Sequence, residues 1–188
     1  MTATSAMKVR PAGSDDIETV RRMEVEAFGF TWEEHVFKHE FLRADCLFTV
    51  GELEGQTVAL ASLNWMVDEV HLMSIAVAPS FHNRGLARQL LGENLVFCQE
   101  LGGLNQMTLE VKWDNPPALA LYKSYGFTTV GRRKKYYRDG QDARIMWSGQ
   151  LSDPRYGEPL ERYRPAVRQW ISAWRATHPN RTDEGVKR

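Results

Sequence analysis

The stretch Ser74-Ile75-Ala76-Val77-Ala78-Pro79-Ser80-Phe81-His82-Asn83-Arg84-Gly85-Leu86-Ala87-Arg88 decides how this chain is read. It continues an apolar, β-rich run that begins at Val70 and that Pro79 closes. Beyond Gly85, the residues Leu86, Leu90, Leu91, Leu95, Cys98 and Leu101 recur at helical spacing up to a Gly102-Gly103 stop. A strand therefore runs through a short glycine-containing loop straight into a helix. Such a junction gathers unpaired backbone N–H groups and the positive end of a helix dipole at one spot, which suits a phosphate or pyrophosphate. Arg84 and Arg88 add charge there. Taken alone, one glycine ahead of a helix is equally the mark of an ordinary tight turn.

Downstream, Gln106 to Trp113 alternates, with Met107, Leu109, Val111 and Trp113 on one face and Gln106, Thr108, Glu110 and Lys112 on the other. Asn115 then reads as a helix N-cap with Pro116 at the first helical position, and the helix runs to Ser124 and stops at Gly126. Two strands, Phe127 to Tyr137 and Asp142 to Gly149, flank an Arg138-Asp139-Gly140 turn. Upstream, Met7 to Pro11 is a short strand, and Ser14 reads as the cap of a helix reaching Phe28, with Asp15, Asp16 and Glu18 in its first turn. A second helix is expected over Trp32 to Leu42, followed by strands over Cys46 to Leu53, Gln56 to Val67 and Val70 to Val77. The order is strand, two helices, three strands, helix, strand, helix, two strands, which describes an α/β or α+β domain with a mixed sheet.

A chain of 188 residues with 43% hydrophobic and 26% charged residues has the material for one globular domain and none of the bias of a disordered segment. Its apolar runs are too short for a membrane span, and the N-terminus lacks a signal-type apolar stretch, so a cytoplasmic protein with no membrane contact is expected. Cys46 and Cys98 sit in apolar segments without paired spacing and read as buried small hydrophobes. Lys and Arg balance Asp and Glu at 24 each, but residues 150–188 carry 8 basic against 5 acidic residues, leaving a slightly acidic body. Neither part is charged enough to imply a nucleic-acid partner. The boundary drawn on this basis separates a catalytic domain, 1–149, from an extension, 150–188. In that extension Pro154, Gly157 and Pro159 mark a linker, and Val167, Trp170, Ile171 and Trp174 form one amphipathic stripe. The stripe is expected to pack back on the sheet; the other reading is that it docks a partner.

Together, the strand ending in Val77-Ala78-Pro79, the His82-Asn83-Arg84-Gly85-Leu86-Ala87 opening of the next helix, Leu109-Glu110-Val111, and the series Asn115, Ala118, Leu121-Tyr122, Gly126-Phe127 resemble the GNAT superfamily of acetyltransferases. The resemblance covers residues 7 to about 149. Within that superfamily the chain is similar to the RimI type, the ribosomal-protein-alanine N-acetyltransferases. Gly131-Arg132-Arg133, Tyr136-Tyr137, Asp139-Gly140, Asp142-Ala143 and Ile145-Met146 carry that closer likeness. The resemblance implies a GNAT fold: a mixed, mostly antiparallel sheet flanked by helices and splayed at its centre, with acetyl-CoA lodged between the strand ending at Val77 and the strand carrying Glu110. By the same resemblance, the backbone of Ile75, Ala76 and Val77 pairs with the pantetheine arm. Asn83, Arg84, Gly85, Leu86, Ala87 and Arg88 cradle the pyrophosphate, and Asn115 adds a cofactor contact to its cap. His82, where the family usually has Gln or Arg, and Ala87, where Gly is commonest, are departures.

The resemblance also assigns chemistry. Glu110 takes a proton from the acceptor amine, and Tyr122 protonates the departing thiolate. Read from pattern alone, Glu110 could be a solvated strand carboxylate and Tyr122 a core aromatic. Phe30, Trp32, Glu33, Tyr136 and Tyr137 match the walls of a peptide groove. The function implied is acetyl transfer from acetyl-CoA to a protein N-terminal α-amine, with a ribosomal protein among the acceptors, by direct attack in a ternary complex. A lysine or small-amine acceptor and a non-catalytic acyl-CoA-binding module are the alternatives. His35 and His39 share a helical spacing but lack a third ligand, so no metal is expected. The Arg132-Arg133-Lys134-Lys135 run reads as a solvated strand or an electrostatic aid.

Overall fold

Strand alternation and helical periodicity together build seven strands and six helices in a computed structural model that describes residues 6–29, 33–153 and 156–177. The strands are β1 (Lys8–Pro11), β2 (Cys46–Leu53), β3 (Gln56–Met66), β4 (Glu69–Val77), β5 (Gln106–Lys112), β6 (Thr128–Arg133) and β7 (Ala143–Gln150). The helices are α1 (Ile17–Phe28), α2 (Glu34–Phe41), α3 (Leu86–Leu101), α4 (Pro116–Ser124), α5 (Gly157–Glu161) and α6 (Arg164–Thr177). The strands form one sheet in the order β1-β2-β3-β4-β5-β7-β6, antiparallel throughout except where β4 meets β5. That parallel pair is joined by the α3 crossover, as a parallel connection requires. No helix among the described residues is long and apolar enough to cross a membrane.

Each face of the sheet is covered by its own set of helices. Val70, Leu72, Met107, Leu109 and Val111 point toward α3 and join the larger buried cluster, whereas Phe48, Val50 and Leu60 pack with Val20, Met23, Phe37 and Phe41 of α1 and α2. Because strand side chains alternate, the other set on β5, Thr108 and Glu110, faces the α1 side. This assignment fixes the side on which any chemistry at Glu110 takes place.

Helix α3 is buried without a break from Leu90 to Cys98. The sheet lies on one side, where Asn94 donates to Thr49 Oγ1 (3.0 Å). The C-terminal helices lie on the other: Trp170 stacks on Phe97 at 4.8 Å, Trp174 meets the same ring edge-on at 5.1 Å, and Arg164 pairs with Glu100 at 2.7 Å. Val167, Trp170, Ile171 and Trp174 are all buried, so the amphipathic stripe packs back onto the sheet-bearing part of the chain. A short helix, α5, occupies what the sequence presents as linker. Gly92 lets this layer approach, since a Cβ there would lie 2.3 Å from Tyr163 Cε2 and 2.7 Å from the Tyr125 hydroxyl.

Two local expectations fail for identifiable reasons. Ser14 does not cap α1: residues Ser14–Asp16 form a 3-10 turn, and the Asp16 carboxylate accepts the Gly13 N–H at 2.7 Å while also holding Arg10 at 2.7 Å. The strand expected to reach Tyr137 ends at Arg133, because Lys135 adopts φ 50° and its N–H turns to the Asp142 carboxylate at 2.8 Å. The tight turn sits where expected, with Gly140 at φ 79°. Helix α2 begins at Glu34, and Phe30 and Trp32 lie outside the described residues.

Trp170→Ala should cost about 3–5 kcal/mol by opening a cavity against Phe97, read as a lower urea midpoint with an unchanged slope. Gly92→Ala should destabilise by about 1–3 kcal/mol through overpacking against Tyr163, and a second change, Tyr163→Ala, should recover part of that loss in a double-mutant cycle.

Candidate active site

The parallel ladder between β4 and β5 is short. It pairs Glu69–Leu72 with Gln106–Leu109 and ends there, although β4 continues to Val77 and β5 to Lys112. Beyond that point β4 stays with β3 and β5 stays with β7. The parting has a local cause. The β3–β4 register passes from Leu63↔Leu72 to Ser62↔Ser74, so Met73 is an extra residue on β4, and a bulge bends its strand. The central splay is thus present where the resemblance implied it.

The backbone of β4 past the bulge presents one edge to this gap. Ala78 N–H bonds the Val58 carbonyl at 2.8 Å across the Ala59↔Val77 pair, which fixes the antiparallel phase. By alternation, the N–H and C=O groups of Ala76 face β3, and those of Ile75 and Val77 face the gap. Of the three residues expected to line the gap, two therefore offer backbone polar groups to a ligand amide. The Val77 carbonyl already meets His82 Nε2 at 2.7 Å, which leaves the Val77 N–H as the group that residue offers to a ligand.

After the 3-10 turn Pro79–Phe81, Asn83 at φ 60° and Gly85 at φ 77° curl the chain into the start of α3. Gly85 needs no side-chain room, but its left-handed backbone strains any other residue. The first hydrogen bond of the helix runs from Gln89 N–H to the Gly85 carbonyl at 3.0 Å, so the N–H groups of Leu86, Ala87 and Arg88 point out of the helix end. Arg84 lies over the Phe81 ring at 5.0 Å and donates to the Ser80 carbonyl at 3.2 Å, and Arg88 lies over Tyr125 at 5.8 Å; both residues are exposed. Outward backbone donors and the helix dipole meet at this turn, which also carries two arginines, a composition that suits a diphosphate.

Glu110 follows directly after the last β5 residue of the parallel ladder. Its side chain is only 8% exposed, with Oε2 at 2.7 Å from His71 Nε2 and Oε1 at 3.1 Å from Arg133 Nη2. The hydrogen bond from His71, aided by the charge of Arg133, holds the carboxyl below its ordinary range against the opposing effect of burial. Two residues of this constellation were not singled out as site residues from sequence. His71 is the polar residue between Val70 and Leu72, on the strand beside Glu110, and that alternation was the available signal. Arg133 belongs to the basic run, which is therefore not simply a solvated strand: Arg132 also pairs with Asp142 and lies over Trp113 at 4.6 Å.

Tyr122 is buried in α4, its ring 5.8 Å from Phe127, and burial together with nearby Tyr137 pushes its phenol well above the usual range. It therefore holds its proton at any physiological pH. Asn115 caps α4 as expected, accepting the Ala118 N–H at 3.3 Å. Tyr136 and Tyr137 meet edge-on at 5.2 Å; Tyr136 is exposed, whereas Tyr137 is half-buried and pushed up to about 12 by burial, with Tyr136, Glu110 and Asp139 adding to the shift. Glu33 stands exposed before α2, its carboxylate 3.5 Å from His35. A further buried carboxyl, Glu24 of α1, accepts the Ser74 hydroxyl, which lies 2.7 Å from Ser62 Oγ; burial raises Glu24 above its ordinary range.

Comparison with known proteins agrees with this arrangement. The Acetyltransferase (GNAT) family description matches residues 17–127. A putative [ribosomal protein bS18]-alanine N-acetyltransferase of Bacillus subtilis is 32% identical over 141 residues, covering 74% of this chain and 93% of that protein. An N-alpha-acetyltransferase of Sulfolobus acidocaldarius is 29% identical over 151 residues, covering 74% of this chain and 90% of its own. Among solved structures, the ribosomal-protein-S18-alanine N-acetyltransferase of Escherichia coli superposes with a TM-score of 0.71 at 30% identity, covering 79% of this chain and 96% of that one. With its sheet opened beside Glu110 and its helix α3 poised behind the loop, this chain belongs to the GNAT family of acetyltransferases and is an N-acetyltransferase of that family.

Proposed function

We propose that this protein transfers the acetyl group of acetyl-CoA to the N-terminal α-amine of a protein, by direct attack within a ternary complex. The observation that carries the reading is the conjunction at the divergence of β4 and β5: gap-facing backbone on Ile75 and Val77, outward amides at the start of α3, and a fixed carboxylate, Glu110, beside the parting strands. The relatives named above, which by name act on a ribosomal protein's alanine or on N-alpha groups, support an α-amine acceptor. A ribosomal protein is the acceptor they favour.

Acetyl-CoA supplies an activated thioester. Ile75 and Val77 bind its amide-bearing arm by backbone hydrogen bonds, Ala76 continues that strand surface, and residues Asn83 to Arg88 hold the diphosphate. The acceptor nitrogen bonds to the acetyl carbon as the carbon–sulfur bond breaks. Glu110 accepts the proton that the nitrogen must lose, and the Tyr122 hydroxyl gives a proton to the departing sulfur. An α-amine with a reference pKa of about 7.7–8.0 is partly neutral already, so an ionised carboxylate suffices even when its own affinity for protons is low. The Tyr122 phenol keeps its proton at working pH, so it is a loaded donor to the sulfur as negative charge develops there. Glu33, Tyr136 and Tyr137 wall the acceptor groove; Phe30 and Trp32, which the family resemblance adds to it, lie outside the described residues.

Release of CoA should be measured with peptides beginning with alanine, serine or methionine, an N-blocked lysine peptide, and spermine, with mass spectrometry locating the acetyl group. Acetylation confined to the α-amine of the alanine or serine peptides is expected; turnover on lysine or spermine alone would reject the acceptor while keeping the enzyme class. Because only the neutral amine attacks, kcat/KM should rise with pH and level off near about 8, the α-amine value. A continued rise toward about 10 would mark a lysine acceptor instead. Glu110→Gln should lower kcat by about 10²-fold and Tyr122→Phe by a similar order, both retaining acetyl-CoA binding by calorimetry.

A further inference from the structure

We propose that His71 is a positioning residue for the same reaction: locked by Thr108 with its proton on Nε2, it fixes the Glu110 carboxylate beside the gap. The inference rests on the reading of Glu110 as the base.

The geometry begins with register. His71 stands opposite Thr108 in the parallel ladder, one pair before the ladder ends at Leu72 and Leu109. Glu110 is the next residue on β5, the first to go without a partner on β4. The contact between His71 and Glu110 therefore ties the two halves of the sheet at the point where they part. Neither group is an idle surface residue, with side-chain exposures of 16% for His71 and 8% for Glu110.

Both ring nitrogens of His71 are engaged, and in the neutral ring this engagement selects one tautomer. Nδ1 lies 3.0 Å from Thr108 Oγ1 and Nε2 lies 2.7 Å from Glu110 Oε2. If a neutral ring carried its proton on Nδ1, the Nε2 lone pair would face a carboxylate oxygen with no hydrogen between them, which is repulsive. With the proton on Nε2, the ring donates to Glu110 and Nδ1 accepts the Thr108 hydroxyl, satisfying every group. Thr108 is itself buried, so its hydroxyl gains a partner by this arrangement.

Glu110 is then held from both sides. His71 bonds Oε2 from the β4 half of the sheet, and Arg133 bonds Oε1 from β6 in the other half. Arg133 is more than half exposed and lies over the Tyr136 ring at 5.4 Å, so the less exposed His71 is the stiffer of the two anchors. The remaining titratable group facing the carboxylate is Tyr137, whose proton is retained to about pH 12. The carboxylate is thus kept ionised and aligned while a lone pair on each oxygen stays open to an incoming N–H. Removing the His71 donor would let the carboxylate rotate about its side chain, and a small misplacement of a reacting group is costly in rate.

The test uses the full chain and four variants, with Glu110→Gln as the reference for loss of the base. His71→Leu should lower kcat by about tenfold while leaving the acetyl-CoA KM unchanged. His71→Gln, which restores a donor of similar reach, should recover most of that loss, and Thr108→Val, which releases the tautomer, should fall between them. The δ-carboxyl ¹³C signal of Glu110, assigned by its absence in Glu110→Gln, should titrate at higher pH in His71→Leu and not in His71→Gln, because the His71 hydrogen bond is the largest influence depressing it. A His71→Leu protein with wild-type kcat beside a slow Glu110→Gln protein would overturn the role of His71 and leave the base in place. Equal losses in His71→Leu and His71→Gln, accompanied by lower melting temperatures and no change in the Glu110 titration, would reduce His71 to a structural residue. Wild-type turnover by Glu110→Gln would overturn the base reading and this proposal with it.

Discussion

The structure depends on a ladder that stops. Two parallel strands share the pairs from Glu69 with Gln106 to Leu72 with Leu109 and then part, because one surplus residue, Met73, bends β4 away from its neighbour. In an uninterrupted sheet the N–H and C=O groups of Ile75 and Val77 would be spent on β5. Here they face a gap, where the Val77 carbonyl meets His82 and the remaining groups are open to water or a ligand, the condition under which backbone polar groups can go without a partner strand. The same parting leaves Glu110 without a partner on β4 yet still paired to Ile145 on β7, so its backbone is fixed while its side chain stands beside the opening.

A split sheet needs something to hold its halves in register, and α3 does that. It lies across the face shared by β4 and β5, with its middle buried on both sides between the sheet and the C-terminal helices. Gln89 reaches the Met7 carbonyl at 2.8 Å and Asn94 reaches Thr49, pinning the helix to the β1–β2 side, while the aromatic stack of Phe97, Trp170 and Trp174 clamps it from outside. The buried middle leaves the first turn free to project its amides. Tyr125 links these layers, donating to the Arg88 carbonyl at 2.7 Å and lying 3.3 Å from the Tyr163 hydroxyl of the C-terminal segment. The extension thus bears on the helix end proposed to hold the diphosphate, a coupling between a segment outside the family-matched residues and the site inside them.

Much of this was legible in the chain because local rules and tertiary structure agree. The alternation of Gln106 to Trp113, the Asn115-Pro116 cap and the Gly85 helix start each follow from a single dominant preference, and each is found in place. The Ser14 cap failed because Arg10 recruits Asp16, a partner from another element that no local rule weighs. The last strand pair is shorter than its alternation suggests because Lys135 takes a left-handed backbone to satisfy Asp142, a cost accepted for a side-chain contact across the hairpin. His71 was passed over for a related reason: a histidine between two apolar residues says which face of a strand it occupies, but not that a carboxylate waits on the next strand. The bulge at Met73 was invisible for the same cause, since it exists only as a mismatch between two strands.

In the proposed role of Glu110 as the base, two demands pull in opposite directions. A base working on a cationic amine gains from a high proton affinity, and burial alone would supply it, as it does for Glu24 on α1. A protonated carboxyl, however, can neither attract the ammonium group nor take its proton. His71 and Arg133 resolve the conflict in favour of charge, keeping Glu110 ionised despite its burial, and the chemistry then relies on the acceptor's own acidity rather than on a strong base. A protein α-amine, about two and a half pH units more acidic than a lysine side chain, meets that condition near neutral pH. The electrostatics of this one carboxylate therefore bear on the choice of acceptor: a weakly basic, firmly oriented Glu110 suits an amine that is nearly ready to react.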